Sequence, residues 1–257
     1  LDYKNSTVHF NVEGEGEPLL LLHGFLENSN MWKPFITKLS KNNRVVCIDL
    51  LGHGKTECLG YIHTMELMAE TIEAVLNFLK IDRATFIGHS MGGYVALAFA
   101  EKKPEFVNGL CLMNSTAHAD SDERKKNRDR AIVAVKDNYK RFVKMGISNL
   151  FRPKNRSIFS EDIKKITEQA LETPLQGIVA ALEGMKNRKE RVHVLKNDTF
   201  KQMMIVSKKD PVLDYDSLIN QVKNTNVKVV ELPDGHMSQI ENKNDFSQTI
   251  VYFIENI

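Results

Sequence analysis

Six short apolar runs recur along the chain, at Leu19–Leu22, Arg44–Ile48, Ala84–Ile87, Asn108–Met113, Lys201–Ser207 and Val227–Leu232. They are too short for stable helices. Their nearly continuous Val, Ile and Leu content fits strands buried on both faces. Stretches of helical period separate most of them. Thr64–Leu79 places Leu67, Met68, Thr71, Ile72, Val75, Leu76 and Leu79 on one face, with Thr64 as N-cap. Met31–Leu39, Met91–Glu101 and Asp245–Ile254 read as further helices, and Ser6–Asn11 as an additional strand before a turn at Gly14 and Gly16. Strands that alternate with helices predict an α/β fold, a mostly parallel sheet flanked by helices on both faces.

The alternation stops after Met113. Residues 115–191 contain no strand signal. Ser121–Arg130 is a dense run of both charge signs, read as a solvated helix face. Helical periods follow at Ala131–Met145, Ser160–Ala170 and Pro174–Met185. Strand signals then return, so residues 1–114 and 192–257 are expected to share one sheet, with 115–191 as a helical cap. The 257 residues amount to about 1.7 average domains, which fits one core carrying an insertion.

Composition removes several classes of function. The 35 Lys+Arg nearly cancel the 33 Asp+Glu, giving a formal charge of +2, so neither nucleic acid nor an anionic membrane is an expected partner. No apolar run approaches the roughly 20 residues of a membrane span. No basic-then-apolar leader opens the sequence, and the three cysteines form no C-x-x-C pair or Cys/His cluster. A reducing, cytoplasmic setting is expected, without metal or organic cofactor. Nothing in the sequence indicates an oligomeric state.

The strongest local motif is Gly88-His89-Ser90-Met91-Gly92, a G-x-S-x-G pattern between an apolar strand and an apolar helix. That setting forces a tight turn and lifts the serine above the carboxyl edge of the sheet. A serine hydroxyl needs a base and an orienting acid to act as a nucleophile. Of the eight histidines, His236 follows a strand in Pro233-Asp234-Gly235-His236. Asp210 follows another in Lys208-Lys209-Asp210-Pro211. Both positions lie where ligands bind open α/β sheets. Asp214 and Asp234 remain alternative acids, Asp49 reads as turn chemistry, and Asn114 carries no charge. The expected oxyanion donors are the backbone N–H groups of Phe25 and Met91. His23 is expected to orient its loop, and His89 to pack or hydrogen-bond. Leu26, Trp32, Phe142, Met145 and Met237 are candidates for lining a pocket for a small acyl substrate.

With these residues in place, the chain resembles the α/β-hydrolase superfamily over nearly its whole length. His23-Gly24-Phe25 resembles the family's oxyanion loop, and Asp49-Leu50-Leu51-Gly52-His53-Gly54-Lys55-Thr56 its D-x-x-G-H-G-x-S turn, with Thr56 in the usual serine position. Gly88–Gly92 resembles the nucleophile elbow, Asp210 the family's acid and Gly235-His236 its histidine loop. The resemblance implies an eight-stranded, mostly parallel sheet with a helical cap after the sixth strand. It implies a serine hydrolase cleaving a carboxylic ester, since Ser90 stands where haloalkane dehalogenases and epoxide hydrolases carry a carboxylate. Two other activities share the triad: a menaquinone-pathway-like lyase that eliminates pyruvate, and a cofactor-free perhydrolase. The lyase usually has Arg where this chain has Tyr94, and it needs a cluster of arginines facing Ser90, with Arg124, Arg128, Arg130, Arg141 and Arg152 as candidates. A ligand-binding protein without turnover is the alternative from another class.

Overall fold

The computed structural model describes residues 1–257. In chain order it contains strands β1 (Asp2–Tyr3), β2 (Ser6–Thr7), β3 (Phe10–Glu13) and β4 (Glu17–Leu22), helix α1 (Lys33–Leu39), β5 (Asn43–Ile48) and α2 (Met65–Phe78). β6 (Ala84–His89), α3 (Met91–Lys102) and β7 (Val107–Met113) follow. Four helices come next: α4 (Asp122–Asp137), α5 (Tyr139–Ser148), α6 (Ser160–Ala170) and α7 (Leu175–Lys186). The chain ends with β8 (Lys201–Ser207), α8 (Tyr215–Gln221), β9 (Lys228–Leu232), α9 (Ser238–Glu241) and α10 (Lys243–Glu255).

The central sheet has the order β3-β5-β4-β6-β7-β8-β9. Only β3 runs antiparallel to its neighbour; every other pair is parallel. Seven strands form this sheet, where the family resemblance leads one to expect eight. The first residues pair with each other instead, as the small ribbon β1-β2. The predicted strand Ser6–Asn11 is accordingly divided, and His9 lies between its two parts. The helical insertion therefore follows the fifth strand of the main sheet. The count differs from the expected six by the missing edge strand.

The apolar pattern explains the layers. β6 is buried along its whole length at the centre of the sheet. On one face α2 and α3 cover Leu20, Leu22, Val46, Phe86 and Leu110. On the other, α1 and α10 cover Leu19, Leu21, Ile87, Cys111 and Ile205. Thr64 caps α2, its hydroxyl accepting the Leu67 N–H at 3.0 Å. The predicted helix Ala131–Met145 is broken at Asn138, whose side chain accepts the Arg141 N–H and starts α5 afresh. α8 escaped the sequence reading; its N-cap is Asp214, which accepts the Ser217 N–H at 2.8 Å. No helix is long and apolar enough to cross a membrane.

Parallel pairing brings the carboxyl ends of four strands level. Leu22 lies opposite Gly88, His89 opposite Met113, and Met113 opposite Ile205. The loops leaving these ends carry His23, Ser90, Asn114 and Asp210. The next loop, after β9, carries His236.

Candidate active site

The turn at Ser90 is held by sterics. Ser90 has φ 49° and ψ −113°, an unusual backbone for a residue with a side chain. Its N–H is anchored to the Met113 carbonyl at 2.9 Å. A Cβ on Gly88 would lie 2.6 Å from the Gly92 backbone, and one on Gly92 would lie 2.5 Å from the Leu22 carbonyl oxygen. Glycine at both positions lets the elbow close on itself and lets the loop after β4 press against it. Ser90 precedes α3 but its hydroxyl makes no capping bond. The hydroxyl instead meets His236 Nε2 at 2.9 Å.

His236 is 1% exposed, and its Nδ1 lies 2.7 Å from Asp210 Oδ2. The other oxygen, Oδ1, accepts the N–H groups of Val212 at 2.8 Å and Leu213 at 3.0 Å. Asn114 Nδ2 donates to Oδ2 at 3.1 Å. Burial alone would raise the Asp210 carboxyl, but its pairing with His236 and these donors hold it below the usual carboxylate range. Asp210 therefore stays ionised and fixes Nδ1 as the protonated nitrogen of His236, leaving Nε2 to accept from the Ser90 hydroxyl. Asp214 is occupied as a helix cap, and Asp234 pairs with Arg152 at 2.8 Å. Neither reaches His236. Asp49 accepts the Ser29 and Lys55 N–H groups, as its turn role requires.

The sequence reading missed Asn114 as a functional neighbour, having set it aside for want of charge. It is completely buried with φ 44°, and it also donates to Ser207 Oγ and accepts from the Ser238 hydroxyl. A polar residue at a buried strand end, aligned with the elbow, is the signal that was available.

The loop after β4 sits beside the elbow. The buried His23 ring donates from Nδ1 to the Gly24 carbonyl at 2.7 Å and accepts the Leu50 N–H at Nε2 at 2.9 Å. This is the loop-orienting role expected of it, and burial keeps the ring neutral. The backbone N–H groups of Phe25 and Met91 have no acceptor within the protein. The insertion reaches the site from above: the Leu150 carbonyl accepts the His236 N–H at 3.0 Å, and the Arg152 N–H donates to Glu241 at 3.0 Å.

A cavity of about 440 Å³ opens beside these groups, lined by Leu26, Glu27, Phe159, Ile166, Met237 and Gln239 among others. Leu26 and Met237 are thus brought together, each one residue beyond a site loop. Ser90 is not among the lining residues. The remaining pocket candidates fall elsewhere. Trp32 is 1% exposed and packs with Phe35 and Phe246 between α1 and α10 on one face of the sheet. Phe142 packs against the core, and Met145 is 52% exposed because it lies on the outer face of α5. Neither lines the cavity. The arginines are also engaged: Arg124 and Arg128 bind the buried Asp120, Arg130 donates to Asn127, and Arg152 binds Asp234. Arg141 stands on exposed helix surface.

The chain belongs to the alpha/beta hydrolase fold family, which it matches over residues 17–243. Over its length it superposes on an esterase from Thermogutta terrifontis with a TM-score of 0.91 and 29% identity, covering 98% of this chain and 94% of that one. It is 31% identical over 188 residues to the 2-hydroxy-6-oxononadienedioate/2-hydroxy-6-oxononatrienedioate hydrolase of Paraburkholderia phymatum, covering 70% of this chain and 62% of that protein. An uncharacterized protein of Mycobacterium tuberculosis is 36% identical over 114 residues, 42% of this chain. That match spans only 33% of the relative's length.

Proposed function

We propose that this protein hydrolyses carboxylic esters of small molecules through a serine acyl-enzyme. The observation that carries the reading is the unbroken line from Ser90 Oγ to His236 Nε2 at 2.9 Å and from His236 Nδ1 to Asp210 at 2.7 Å. In this reading Ser90 Oγ attacks the substrate carbonyl and His236 takes its proton. Asp210 holds the ring and stabilises the imidazolium. The free N–H groups of Phe25 and Met91 receive the developing oxyanion. His236 then returns the proton to the leaving alcohol. Water, deprotonated by the same ring, attacks the acyl-enzyme and releases the acid and Ser90.

Residues 115–191 act in this reading as a cap over the site, supported by the backbone bond from Leu150 to the histidine loop. The cavity at Leu26 and Met237 takes an apolar part of the substrate. The likeness to a solved esterase supports the choice of bond. The pyruvate-eliminating alternative gains no support, since its candidate arginines are paired with acids or placed on the surface. The free thiols of Cys47, Cys58 and Cys111 support a reducing, cytoplasmic setting.

Hydrolysis of p-nitrophenyl acetate and butyrate tests the proposal. Ser90→Ala should abolish turnover while a fluorophosphonate labels the wild type at Ser90. Equal nitrophenol release by the two proteins refutes it.

A further inference from the structure

The mechanism above gives no role to the buried pair Glu27 and His89. Glu27 is 5% exposed and His89 is 1% exposed. His89 Nδ1 lies 2.6 Å from Glu27 Oε2. A buried ion pair holds its own energetically only when its other hydrogen bonds are satisfied. Here they are, and each leads to a different loop of the site. Glu27 Oε2 also accepts the Gly24 N–H at 2.8 Å, one residue before Phe25. Its Oε1 accepts from Gln239 Nε2 at 3.2 Å, three residues after His236. His89 Nε2 lies 3.1 Å from the His236 carbonyl oxygen, and His89 itself immediately precedes Ser90.

Both ring nitrogens of His89 therefore face oxygen acceptors. A neutral imidazole has one N–H and would turn a lone pair toward the other oxygen. A doubly protonated ring satisfies both, and the Glu27 carboxylate balances its charge. Burial pulls the His89 ring down, but the Glu27 charge, its hydrogen bond and the His236 carbonyl raise it above the ordinary histidine range. Burial pushes Glu27 up, and the His89 charge brings it below its ordinary value. The other titratable groups facing this ring are few. Asp210 favours its charged form, His23 is neutral by burial, and the His236 ring lies 5.1 Å away.

We propose that Glu27 and a doubly protonated His89 form a charged clamp that holds the oxyanion loop, the elbow and the His236 loop in one register. Both are positioning residues, and the inference rests on the reading of Ser90 and His236 given above. Glu27→Gln fills nearly the same space, removes the charge and turns one acceptor oxygen into a donor. If its amide oxygen takes the place of Oε2, it accepts from Gly24 and from His89 Nδ1, and a neutral His89 has no proton left for the His236 carbonyl. If its amide nitrogen takes that place, it meets the Gly24 N–H donor to donor. Gln239, whose Oε1 has no partner, can turn to suit either arrangement. The loss then falls on the loops of the site and not on packing.

Histidine-ring ¹⁵N NMR of the whole protein at about pH 7.5, combined with p-nitrophenyl butyrate kinetics, tests the clamp. The wild type should show one histidine protonated on both ring nitrogens, assigned by its loss in His89→Gln. Glu27→Gln should lose that signature and lower kcat about 10- to 100-fold, the scale of a slight misplacement of reacting groups. KM should change less than kcat: Glu27 reaches the cavity wall, but its carboxylate oxygens are engaged by Gly24, His89 and Gln239. Ser90→Ala should keep the NMR signature and lose turnover, so failure of the clamp and failure of the serine reading are told apart. A wild type with no doubly protonated histidine overturns the proposal even if the variants do not fold. A folded Glu27→Gln with wild-type kcat overturns it too.

Discussion

Three buried histidines near the loop after β4 make the fold sensitive to acid, and the size of the effect follows from their environment. His53 is completely buried, donates from Nδ1 to the Leu51 carbonyl, and has no partner for Nε2. Burial and the neighbouring His23 push it down to about 3. Burial brings His63 down to about 4 and lowers His23 as well. An unfolded histidine titrates near 6.5. For these groups the folded value lies below the unfolded one, so as pH falls below about 6.5 the unfolded chain takes up protons that the folded chain refuses. Stability is complete above that pH and declines until the folded value is reached. Between pH 7 and pH 5, His53 alone costs about 2 kcal/mol, and His63 about the same. His89 and Glu241 are raised and oppose the trend, which is why a difference between two proteins is the better measure. Urea unfolding of wild type and His53→Gln at pH 7 and pH 5 provides it. The variant should lose about 2 kcal/mol less than wild type over this interval, a midpoint difference of about 0.7 M for an m-value near 3 kcal/mol/M. An identical loss in the two proteins refutes the reasoning.

Three substitutions probe other parts of the structure. Asp210→Asn should leave a folded protein with kcat on p-nitrophenyl butyrate reduced by about 10⁴-fold, because its amide oxygen stays with the Val212 and Leu213 N–H groups and its NH2 then faces His236 Nδ1, forcing the wrong tautomer; a loss under tenfold counts against this role. Gly92→Ala puts a methyl group 2.5 Å from the Leu22 carbonyl oxygen and 2.7 Å from that of His23. It should lower both melting temperature and kcat, since the loop carrying Phe25 must retreat; a variant indistinguishable from wild type disproves the close approach. Trp32→Ala should cost about 3–5 kcal/mol in urea unfolding while KM stays unchanged, the result for a core residue and not a pocket wall.

The parts of the fold that could be read in the sequence carry their signal locally. β6 and α3 flank Ser90 within one short segment, and His236 and Asp210 each stand in a turn just after an apolar run. Periodicity places such residues at one edge without knowledge of tertiary contacts. Glu27 has no such signature, and Asn114, although it follows an apolar run, has no charge to mark it. Their roles come from partners 62 and 96 positions away, which only the sheet order brings near. Trp32 was misplaced for a related reason: closeness in sequence to His23-Gly24-Phe25 does not say on which side of the sheet the chain turns. Met145 was misplaced because an apolar residue on an amphipathic helix need not face the core when the helix lies at the protein's outer surface. The eighth strand was an inference from resemblance, and two-residue pairing in β1-β2 left nothing to add to the sheet's edge.

The long insertion between β7 and β8 also bears on how the protein is made. Ser90 and His236 stand 146 positions apart. At translation rates of about 5–20 residues per second, the elbow leaves the ribosome roughly 7–30 seconds before its histidine does. During that interval β4 to β7 can pair, while β8 and β9 have yet to join the open side of β7. The nascent chain thus carries a serine with an ordinary hydroxyl, and its hydrogen bond to Nε2 forms only when the last two strands dock. A chain released early, even with a folded amino-terminal half, holds no such bond.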